Sequence, residues 1–264
     1  MILDDITAAV SKRLAADKAA ISPEEMKQLA LKAPKPVGYP FEQALSQPGL
    51  SFICEVKRAS PSKGLIAPDF PYAAIAKAYE EAGAAAISCL TERDYFQGSI
   101  DYLKDIASQV SIPVLRKDFI IDEYQIYEAR ANGAAAVLLI CAILDDDTLR
   151  RFFALADLLG LSVLVEAHDE QEVRRAIAAG ARIIGVNNRN LKDFTVSLST
   201  SCHLRPMVPH SILFVAESGI KTAAHTKTLR EHGVDAVLIG ETLMRAADKK
   251  AMLQELAGEV HDAG

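Results

Sequence analysis

Two oppositely charged residues, Glu55 and Lys57, stand two positions apart at the end of a short apolar run. That run, Phe52–Val56, contains aromatic and β-branched residues and therefore predicts a buried strand. A period of two puts both charged side chains on one face of the strand. A polar loop with Pro and Gly follows, from Arg58 to Gly64. This strand end is a candidate site for an anionic small molecule, and a structural ion pair is the alternative.

Polar residues also end most of the other apolar runs. They are Thr91-Glu92, Arg116-Lys117-Asp118, Glu166, Asn187-Asn188-Arg189, Glu217-Ser218-Gly219 and Gly240-Glu241. If the runs are parallel strands of a barrel, their C-terminal ends meet at one mouth, where such folds place their active sites. We therefore expect several of these charges to converge at the mouth. Exposure to solvent at the surface is a poor explanation for so many charged residues at strand ends.

The last two of these ends add a signal for phosphate. Ser218-Gly219 and Gly240-Glu241 put small residues where backbone N–H groups can approach a ligand. Barrels of this type often bind phosphate there, with help from a helix N-terminus. Tight turns alone would also explain both glycines, but their joint placement near Lys57 favours phosphate.

The elements that would carry these residues alternate along the chain. Eight apolar runs predict strands, namely Phe52–Val56, Ala85–Leu90, Pro113–Leu115, Ala136–Cys141, Ser162–Val165, Ile183–Val186, Ile212–Ala216 and Ala236–Ile239. Amphipathic stretches between them predict helices, among them Tyr72–Ala82, Glu123–Asn132, Asp145–Leu159, Glu170–Ala179 and Thr222–His232.

An internal repeat supports the alternation. Four predicted helices stop at a glycine, and a strand begins within three residues of it; these are Gly83, Gly133, Gly180 and Gly233. The eight strands and the helices between them predict an α/β fold of the (β/α)8 or TIM-barrel type. A doubly wound open sheet is the alternative, but it would need fewer strands and a Gly-rich first turn.

The first 49 residues differ from the rest. They predict three helices: one with an apolar stripe through Ile6 and Val10, one beginning at Ser22-Pro23, and a short one over Pro40–Leu45. We expect residues 1–49 to form a helical extension packed on a barrel of residues 50–264, in one structural domain overall.

Composition narrows the function classes. The chain has 264 residues and a net charge of -6, which argues against a general nucleic-acid surface. The acidic start and the absence of a long apolar run predict neither a signal peptide nor a membrane span. The cysteines (Cys54, Cys89, Cys141 and Cys202) show no C-x-x-C, and three lie in predicted strands. They suggest small core residues in a reducing cytoplasm.

The histidines give little support for a metal site. No two of the six have ligand spacing on one element. His168 follows Glu166 closely and could be a ligand, but an ordinary loop histidine is favoured because no partner stands at ligand spacing.

The segment Glu55–Gly64 resembles the signature of the indole-3-glycerol phosphate synthase family. Further segments agree in order along nearly the whole chain: Leu90-Thr91-Glu92, Tyr95–Ser99, Leu115–Phe119, Gly185–Leu191 and Ala216–Ile220. The helical extension before the first strand is typical of this family among phosphate-binding barrels. The resemblance implies ring closure, decarboxylation and dehydration of 1-(2-carboxyphenylamino)-1-deoxyribulose 5-phosphate in tryptophan synthesis, with no cofactor and no metal.

The resemblance also implies roles for individual residues. Lys117 would be the general acid that protonates the ketone oxygen, and Glu166 the general base of the dehydration. Glu55 and Lys57 would pair at the base of the site, and Lys57 would serve the dehydration or contact the phosphate. Asn187 and Ser218 complete the catalytic set by binding substrate hydroxyls or carboxylate. Which lysine protonates which atom stays open at this point.

Binding roles carry over in the same way. Phosphate would meet Ser60, Gly219, Gly240 and the backbone of Glu241, whereas the aromatic ring would lie against Pro61, Phe96, Phe119, Leu138 and Leu191. Arg189 would face the anthranilate carboxylate, and Glu217 is a further substrate-binding candidate. Some members of the family have Ser at the position of Glu241, so its carboxylate is expected to turn away from the phosphate.

Two other functions compete with this one. Another phosphate-binding barrel enzyme, such as phosphoribosylanthranilate isomerase, would leave the extension and the Glu55–Lys57 loop unexplained. A non-catalytic metabolite sensor would be expected to have lost its acid or base, yet Lys117 and Glu166 are both present. The partners expected are a phosphorylated small molecule, no nucleic acid and no membrane. A monomer is expected, with a weak homodimer or contact with other tryptophan-pathway enzymes left open.

Overall fold

The computed structural model describes residues 2–258, which fold around a closed barrel of eight parallel strands. The barrel strands are Ser51–Val56 (β1), Ala86–Leu90 (β4), Val114–Lys117 (β5), Ala136–Ile140 (β6), Ser162–Ala167 (β7), Ile183–Asn187 (β8), Leu213–Glu217 (β9) and Ala236–Ile239 (β10). Around the barrel they follow the order β1, β10, β9, β8, β7, β6, β5, β4. The predicted (β/α)8 fold is confirmed, and the open sheet is excluded.

The helices of the described residues lie before, between and after these strands. They are Ile2–Ala20 (α1), Pro23–Lys32 (α2), Pro40–Leu45 (α3), Tyr72–Glu81 (α4), Ile100–Gln109 (α5), Glu123–Ala131 (α6), Asp146–Leu158 (α7), Glu170–Ala178 (α8), Ser199–Leu204 (α9), Ala223–Glu231 (α10), Glu241–Arg245 (α11) and Lys249–Ala257 (α12). Every helix predicted from the sequence is present to within a residue or two at its ends. A two-stranded hairpin, Ala59–Ser60 (β2) with Gly64–Leu65 (β3), lies in the loop after β1 and was not predicted.

Glycine stops and polar caps explain the helix bounds. The four repeated glycines have φ between 75° and 94°, the left-handed region that ends a helix. Gly160 ends α7 in the same way, with φ 76°, and adds a fifth member that the repeat did not reveal. At the other ends, the Asp145 and Asp169 side chains accept backbone N–H groups of the first turns of α7 and α8.

The inside of the barrel is a separate apolar cluster, closed at the N-terminal ends of the strands by α3. Phe41 and Leu45 of that helix are fully buried against residues such as Ile53, Leu164 and Val215. This plug leaves the opposite end of the barrel as the open one.

The preceding helices pack on the outside of the barrel. Ile6, Val10 and Leu14 of α1 are buried in one cluster with Met26 of α2 and Tyr124 of α6. Ion pairs add to this packing, with 2.7 Å between Lys18 and Asp122, for example. These helices thus contact the outer helices of the barrel, and the division of the chain into an extension of residues 1–49 and a barrel stays a prediction.

The cysteine prediction needs one correction. Cys141 does not lie in a strand but begins a 3-10 turn, Cys141–Ile143. The reason is local, because β6 pairs with β7 only as far as Ile140, and Arg175 then donates to the Cys141 carbonyl oxygen at 3.0 Å. The named cysteines are all free, and Cys54 and Cys89 lie in strands as predicted. Within residues 2–258, no helix is long and apolar enough to cross a membrane.

Candidate active site

A cavity of about 660 Å³ opens at the C-terminal ends of the barrel strands. Every site residue predicted from the sequence lines it: Glu55, Lys57, Ser60, Pro61, Phe96, Lys117, Phe119, Leu138, Glu166, Asn187, Arg189, Leu191, Glu217, Ser218, Gly219, Gly240 and Glu241. These residues come from strand ends and loops that are far apart in sequence, and the barrel brings them together.

Lys117 lies between two buried carboxylates at the floor of the cavity. Its Nζ is 3.2 Å from Glu166 Oε2 and 3.4 Å from Glu217 Oε2. The three side chains come from the ends of β5, β7 and β9, and the two carboxylates are almost fully buried. Asn187, at the end of β8, donates its Nδ2 to the other Glu166 oxygen at 3.3 Å.

The charges of this group are strongly coupled. Burial opposes the charge on Lys117, but Glu166, Glu217 and Glu55 outweigh it and raise its pKa. Burial also opposes the charge on Glu166, yet Lys117 and then His168 and Asn187 lower its pKa below the usual range. Burial raises the pKa of Glu217 to about 7, assisted by Glu166 and Glu55 and opposed by Lys117. The group therefore contains a carboxylate that stays ionised, Glu166, and an ammonium that stays protonated, Lys117. The third member, Glu217, is a carboxyl group that exchanges a proton near neutral pH.

Glu55 and Lys57 form the second ion pair of the cavity, as their spacing predicted. Gly240 lies directly against it, because a Cβ at this position would overlap Glu55 Oε1 and lie 2.8 Å from Lys57 Nζ. Gly185 inside β8 makes room for Glu217 in the same way, because Glu217 Oε1 occupies the space that a Cβ at position 185 would fill. Sequence reasoning missed this steric role of both glycines. A glycine within an apolar strand run was the available signal.

Not every polar strand end faces the cavity. Arg116 points out of the barrel, where it pairs with Asp118 at 3.0 Å and Glu128 at 2.7 Å, and Thr91 donates to Asp118 at 2.6 Å. Successive residues of a strand face opposite sides, so Arg116 and Lys117 separate in this way. The expected convergence holds for part of the set only.

Glu92 also lies outside the cavity but shapes it. Its buried carboxylate accepts the backbone N–H groups of Asp94, Tyr95 and Phe96 at 2.7–3.0 Å, and Arg13 of α1 donates to it at 3.1 Å. The loop is thereby held with Phe96 against the cavity, where its ring centroid is 6.0 Å from that of Phe119. Leu138, Leu191 and Pro61 also line the cavity.

The turn after β9 has an unusual backbone. Ser218 and Gly219 both have positive φ, 68° and 82°, and a serine in this region is strained. Any Cβ on Gly219 would overlap Val196 Cγ1 of the loop after β8. The turn faces Gly240, which precedes α11, and Thr242 links the two by donating to the Ile220 carbonyl oxygen at 2.8 Å.

Two charged residues at the rim have partners within the chain. Glu241 lies 3.7 Å from Lys63 and 3.2 Å from Arg245, so two cations compensate the carboxylate that was expected to turn away. Arg189 donates to the Phe194 carbonyl oxygen at 3.3 Å, and its backbone N–H donates to Asn187.

The lining also includes residues that the sequence did not single out. Ile2, Leu3 and Ile6 bring one face of α1 to the cavity, and Phe194, Val196 and Lys221 come from the loops after β8 and β9. The apolar stripe of α1 was visible, but its contact with the cavity depends on tertiary packing. Within residues 2–258, no cluster of three or more His, Cys, Asp or Glu side chains has the arrangement of a metal site.

Comparison with known proteins gives one consistent family. The family model for indole-3-glycerol phosphate synthase matches residues 3–256. The indole-3-glycerol phosphate synthase of Ruminiclostridium cellulolyticum is 57% identical over 98% of this chain and 99% of that protein. The enzyme of the same name from Leuconostoc mesenteroides is 52% identical over 98% of this chain and 100% of that protein.

Solved structures at low identity share the fold. Thiamine phosphate pyrophosphorylase from Pyrococcus furiosus has a TM-score of 0.62 at 18% identity, covering 83% of this chain and 98% of that one. For 3-hexulose-6-phosphate synthase from Salmonella typhimurium the TM-score is 0.65 at 15% identity, covering 79% and 97%.

Proposed function

Because the chain belongs to the indole-3-glycerol phosphate synthase family, we propose that Lys117 and Glu166 are the general acid and general base of its reaction. The family's enzymes are carbon-carbon lyases that close the indole ring in tryptophan synthesis, with loss of carbon dioxide and water. The observation that carries the assignment is the placement of Lys117 between Glu166 and Glu217 at the floor of the cavity.

Ring closure requires a cation at the ketone oxygen. The electron-rich ring carbon attacks the ketone carbon, and negative charge develops on the oxygen as the new bond forms. The Lys117 ammonium stabilises that charge and transfers a proton to it, which gives a hydroxyl. Loss of carbon dioxide then leaves its electron pair in the ring and restores aromaticity.

Dehydration requires a proton at the leaving hydroxyl and a base for the proton that is lost. Lys57, which is paired with Glu55, donates a proton to the leaving hydroxyl, so that water departs. Glu166 accepts the second proton as the double bond of the indole forms. Lys57 follows β1 and Glu166 lies on β7, on the opposite side of the barrel, so this acid and this base do not neutralise each other during the step.

Proton transfer from Lys117 prepares Glu166 for its task. The Lys117 charge makes the largest contribution that lowers the pKa of Glu166. When Lys117 gives up its proton, that attraction disappears and Glu166 becomes a stronger base. Glu217, which exchanges a proton near neutral pH, can return one to the neutral lysine at 3.4 Å. A resting carboxylate of low pKa is thus compatible with a base that acts late.

The rest of the cavity supplies binding. Asn187 and Ser218 contact the substrate hydroxyls or carboxylate, and Arg189 meets the anthranilate carboxylate. The phosphate is held by Ser60 and by the backbone at Gly219, Gly240 and Glu241, with Lys57 close by. The aromatic ring lies in the apolar wall around Phe96 and Phe119. Lys63 and Arg245 support this arrangement by compensating the Glu241 carboxylate.

Every proton transfer in this reaction is assigned to a side chain of the protein, so we propose that the reaction needs no cofactor and no metal. A monomer in the cytoplasm is the proposed working form, and size-exclusion chromatography with light scattering tests the first part.

The deciding experiment is a direct turnover assay. Purified protein without added metal should convert 1-(2-carboxyphenylamino)-1-deoxyribulose 5-phosphate to indole-3-glycerol phosphate, followed by ultraviolet absorbance. Lys117→Met should abolish most of that turnover. A folded Lys117→Met variant with wild-type turnover would refute the assignment of the acid.

A further inference from the structure

We propose that His168, anchored by Glu172, is a positioning residue that orients the general base Glu166 and keeps it ionised. The inference rests on the proposed role of Glu166. His168 follows the last residue of β7 and is absent from the lining of the cavity, so it would act through Glu166 and not on the substrate.

Both ring nitrogens of His168 face carboxylates. Nε2 is 3.2 Å from Glu166 Oε1, and Nδ1 is 3.0 Å from Glu172 Oε2. The side chains of His168 and Glu172 are only 18% and 15% exposed, so water screens these contacts little. The carboxylate of Glu166 is therefore bracketed, with Lys117 at Oε2 and His168 and Asn187 at Oε1.

The start of α8 fixes Glu172. Asp169 caps the helix by accepting the Glu172 N–H at 2.9 Å, and Glu172 reaches back to accept the His168 backbone N–H at 2.8 Å. The same Glu172 oxygen accepts from His168 Nδ1. The imidazole ring is thus held at its backbone and at one nitrogen, which keeps Nε2 3.2 Å from Glu166 Oε1.

This arrangement favours the imidazolium. A neutral ring that donates from Nδ1 to Glu172 would leave Nε2 without a proton, with its partial negative charge 3.2 Å from Glu166 Oε1. Nε2 is buried and has no hydrogen-bond partner of good geometry, so no other group relieves that repulsion. A second proton converts the repulsion into attraction. Burial opposes the charge, but Glu166 and Glu172 outweigh it and raise the pKa of His168 to about 10.

The surrounding charges leave this role to His168. On the cavity side, Lys117 attracts Glu166. The carboxylates there oppose one another's charge, since Glu166 and Glu55 both raise the pKa of Glu217. Arg175, the nearby cation on α8, is turned to Asp146 and to backbone carbonyl groups. When Lys117 transfers its proton to substrate, His168 is then the cation that keeps Glu166 ionised until the dehydration step.

The test compares His168→Gln with His203→Asn. Gln can still donate a hydrogen bond toward Glu166 but carries no charge. His203 is the matched control because it pairs with Glu170 of the same helix at 3.3 Å, with 70% and 49% of the two side chains exposed. We expect His168→Gln to lower kcat at least about tenfold with a small change in KM, since His168 does not line the cavity. The acid limb of its kcat profile should move up by about one pH unit or more. His203→Asn should leave both unchanged.

Two further measurements keep the test decisive. In wild-type protein with 15N-labelled histidine, one imidazole should remain doubly protonated at pH 8, and that signal should be missing in His168→Gln. A neutral His168 at pH 8 would overturn the proposal, even if the variant failed to fold. In a Glu166→Gln background, His168→Gln should have no further effect on kcat.

The outcomes separate the two proposals. If Glu166→Gln keeps its turnover, the assignment of the base fails, and with it the role of His168. If Glu166→Gln is impaired while His168→Gln keeps the wild-type kcat and pH profile, only the positioning role is overturned.

Discussion

Glu217→Gln should make the protein more stable at alkaline pH while impairing its activity. The Glu217 carboxylate is buried, its Oε1 has no hydrogen-bond partner, and its pKa is raised from 4.5 to about 7. A carboxyl group whose pKa is higher in the folded state stabilises the fold only while it is protonated. Its contribution is present below pH 4.5 and is lost as the pH rises toward 7.

The size of the effect follows from these two values. At about 1.36 kcal/mol per pKa unit, the raised pKa of Glu217 destabilises the fold by about 3 kcal/mol at pH 8 and by about 1 kcal/mol at pH 5. Glutamine has nearly the same shape and no charge to bury. We therefore expect Glu217→Gln to have a higher free energy of unfolding than the wild type. The gain should be about 2 kcal/mol larger at pH 8 than at pH 5.

Urea denaturation at the two pH values measures this difference, and Glu231→Gln on α10 is the matched control. Glu231 is largely exposed and lies 3.9 Å from Lys227, so its substitution should have a small, pH-independent effect. If the gain of Glu217→Gln were equal at pH 5 and pH 8, or became a loss at pH 8, the raised pKa would be refuted. Turnover should fall in the same variant, because Lys117 loses the carboxyl that returns its proton.

Four other predictions concern the site directly. Lys117→Met should lower kcat at least about a hundredfold; a variant that loses thermal stability but keeps its turnover would make the lysine structural. Glu166→Gln should make dehydration limiting, so a cyclised, decarboxylated and still hydroxylated intermediate should accumulate in rapid-quench mass spectrometry. Gly219→Asp should raise KM sharply, and inorganic phosphate or sulfate should compete with substrate; equal reaction of the dephosphorylated substrate would contradict the phosphate site. Gly240→Ala should displace the Glu55 carboxylate and destabilise the protein by about 1–3 kcal/mol in urea denaturation; unchanged stability and kinetics would show that the overlap is relieved at no cost.

The sequence predicted those parts of the site that depend on strand periodicity. Lys117, Glu166 and Glu217 each end an apolar run, and parallel strands bring such ends together. The Glu55–Lys57 contact followed from a spacing of two. These relations are local, and the barrel adds only the closure that brings them within hydrogen-bond distance.

The rest of the site depends on contacts between distant elements. The approach of α1 to the cavity and the hold of Arg13 on Glu92 come from packing that no spacing encodes. His168 was set aside because no metal partner stood near it, whereas its partners are the carboxylates before and after it in the chain. Gly185 stood within a quoted motif, but its role is visible only once Glu217 is seen to fill its empty space.

The closed strand order also determines when the barrel can fold during synthesis on the ribosome. β1 pairs with β4 on one side, but its other neighbour is β10, with Ser51 opposite Ala236. On the ribosome, a growing chain therefore carries an unpaired edge of apolar β1 until nearly all of the barrel has emerged. Open edges of this kind recruit other strands, so the nascent half-barrel is the form most exposed to aggregation and most dependent on chaperones. The same geometry suggests that two separately made halves, each with a complementary edge, could assemble into one barrel.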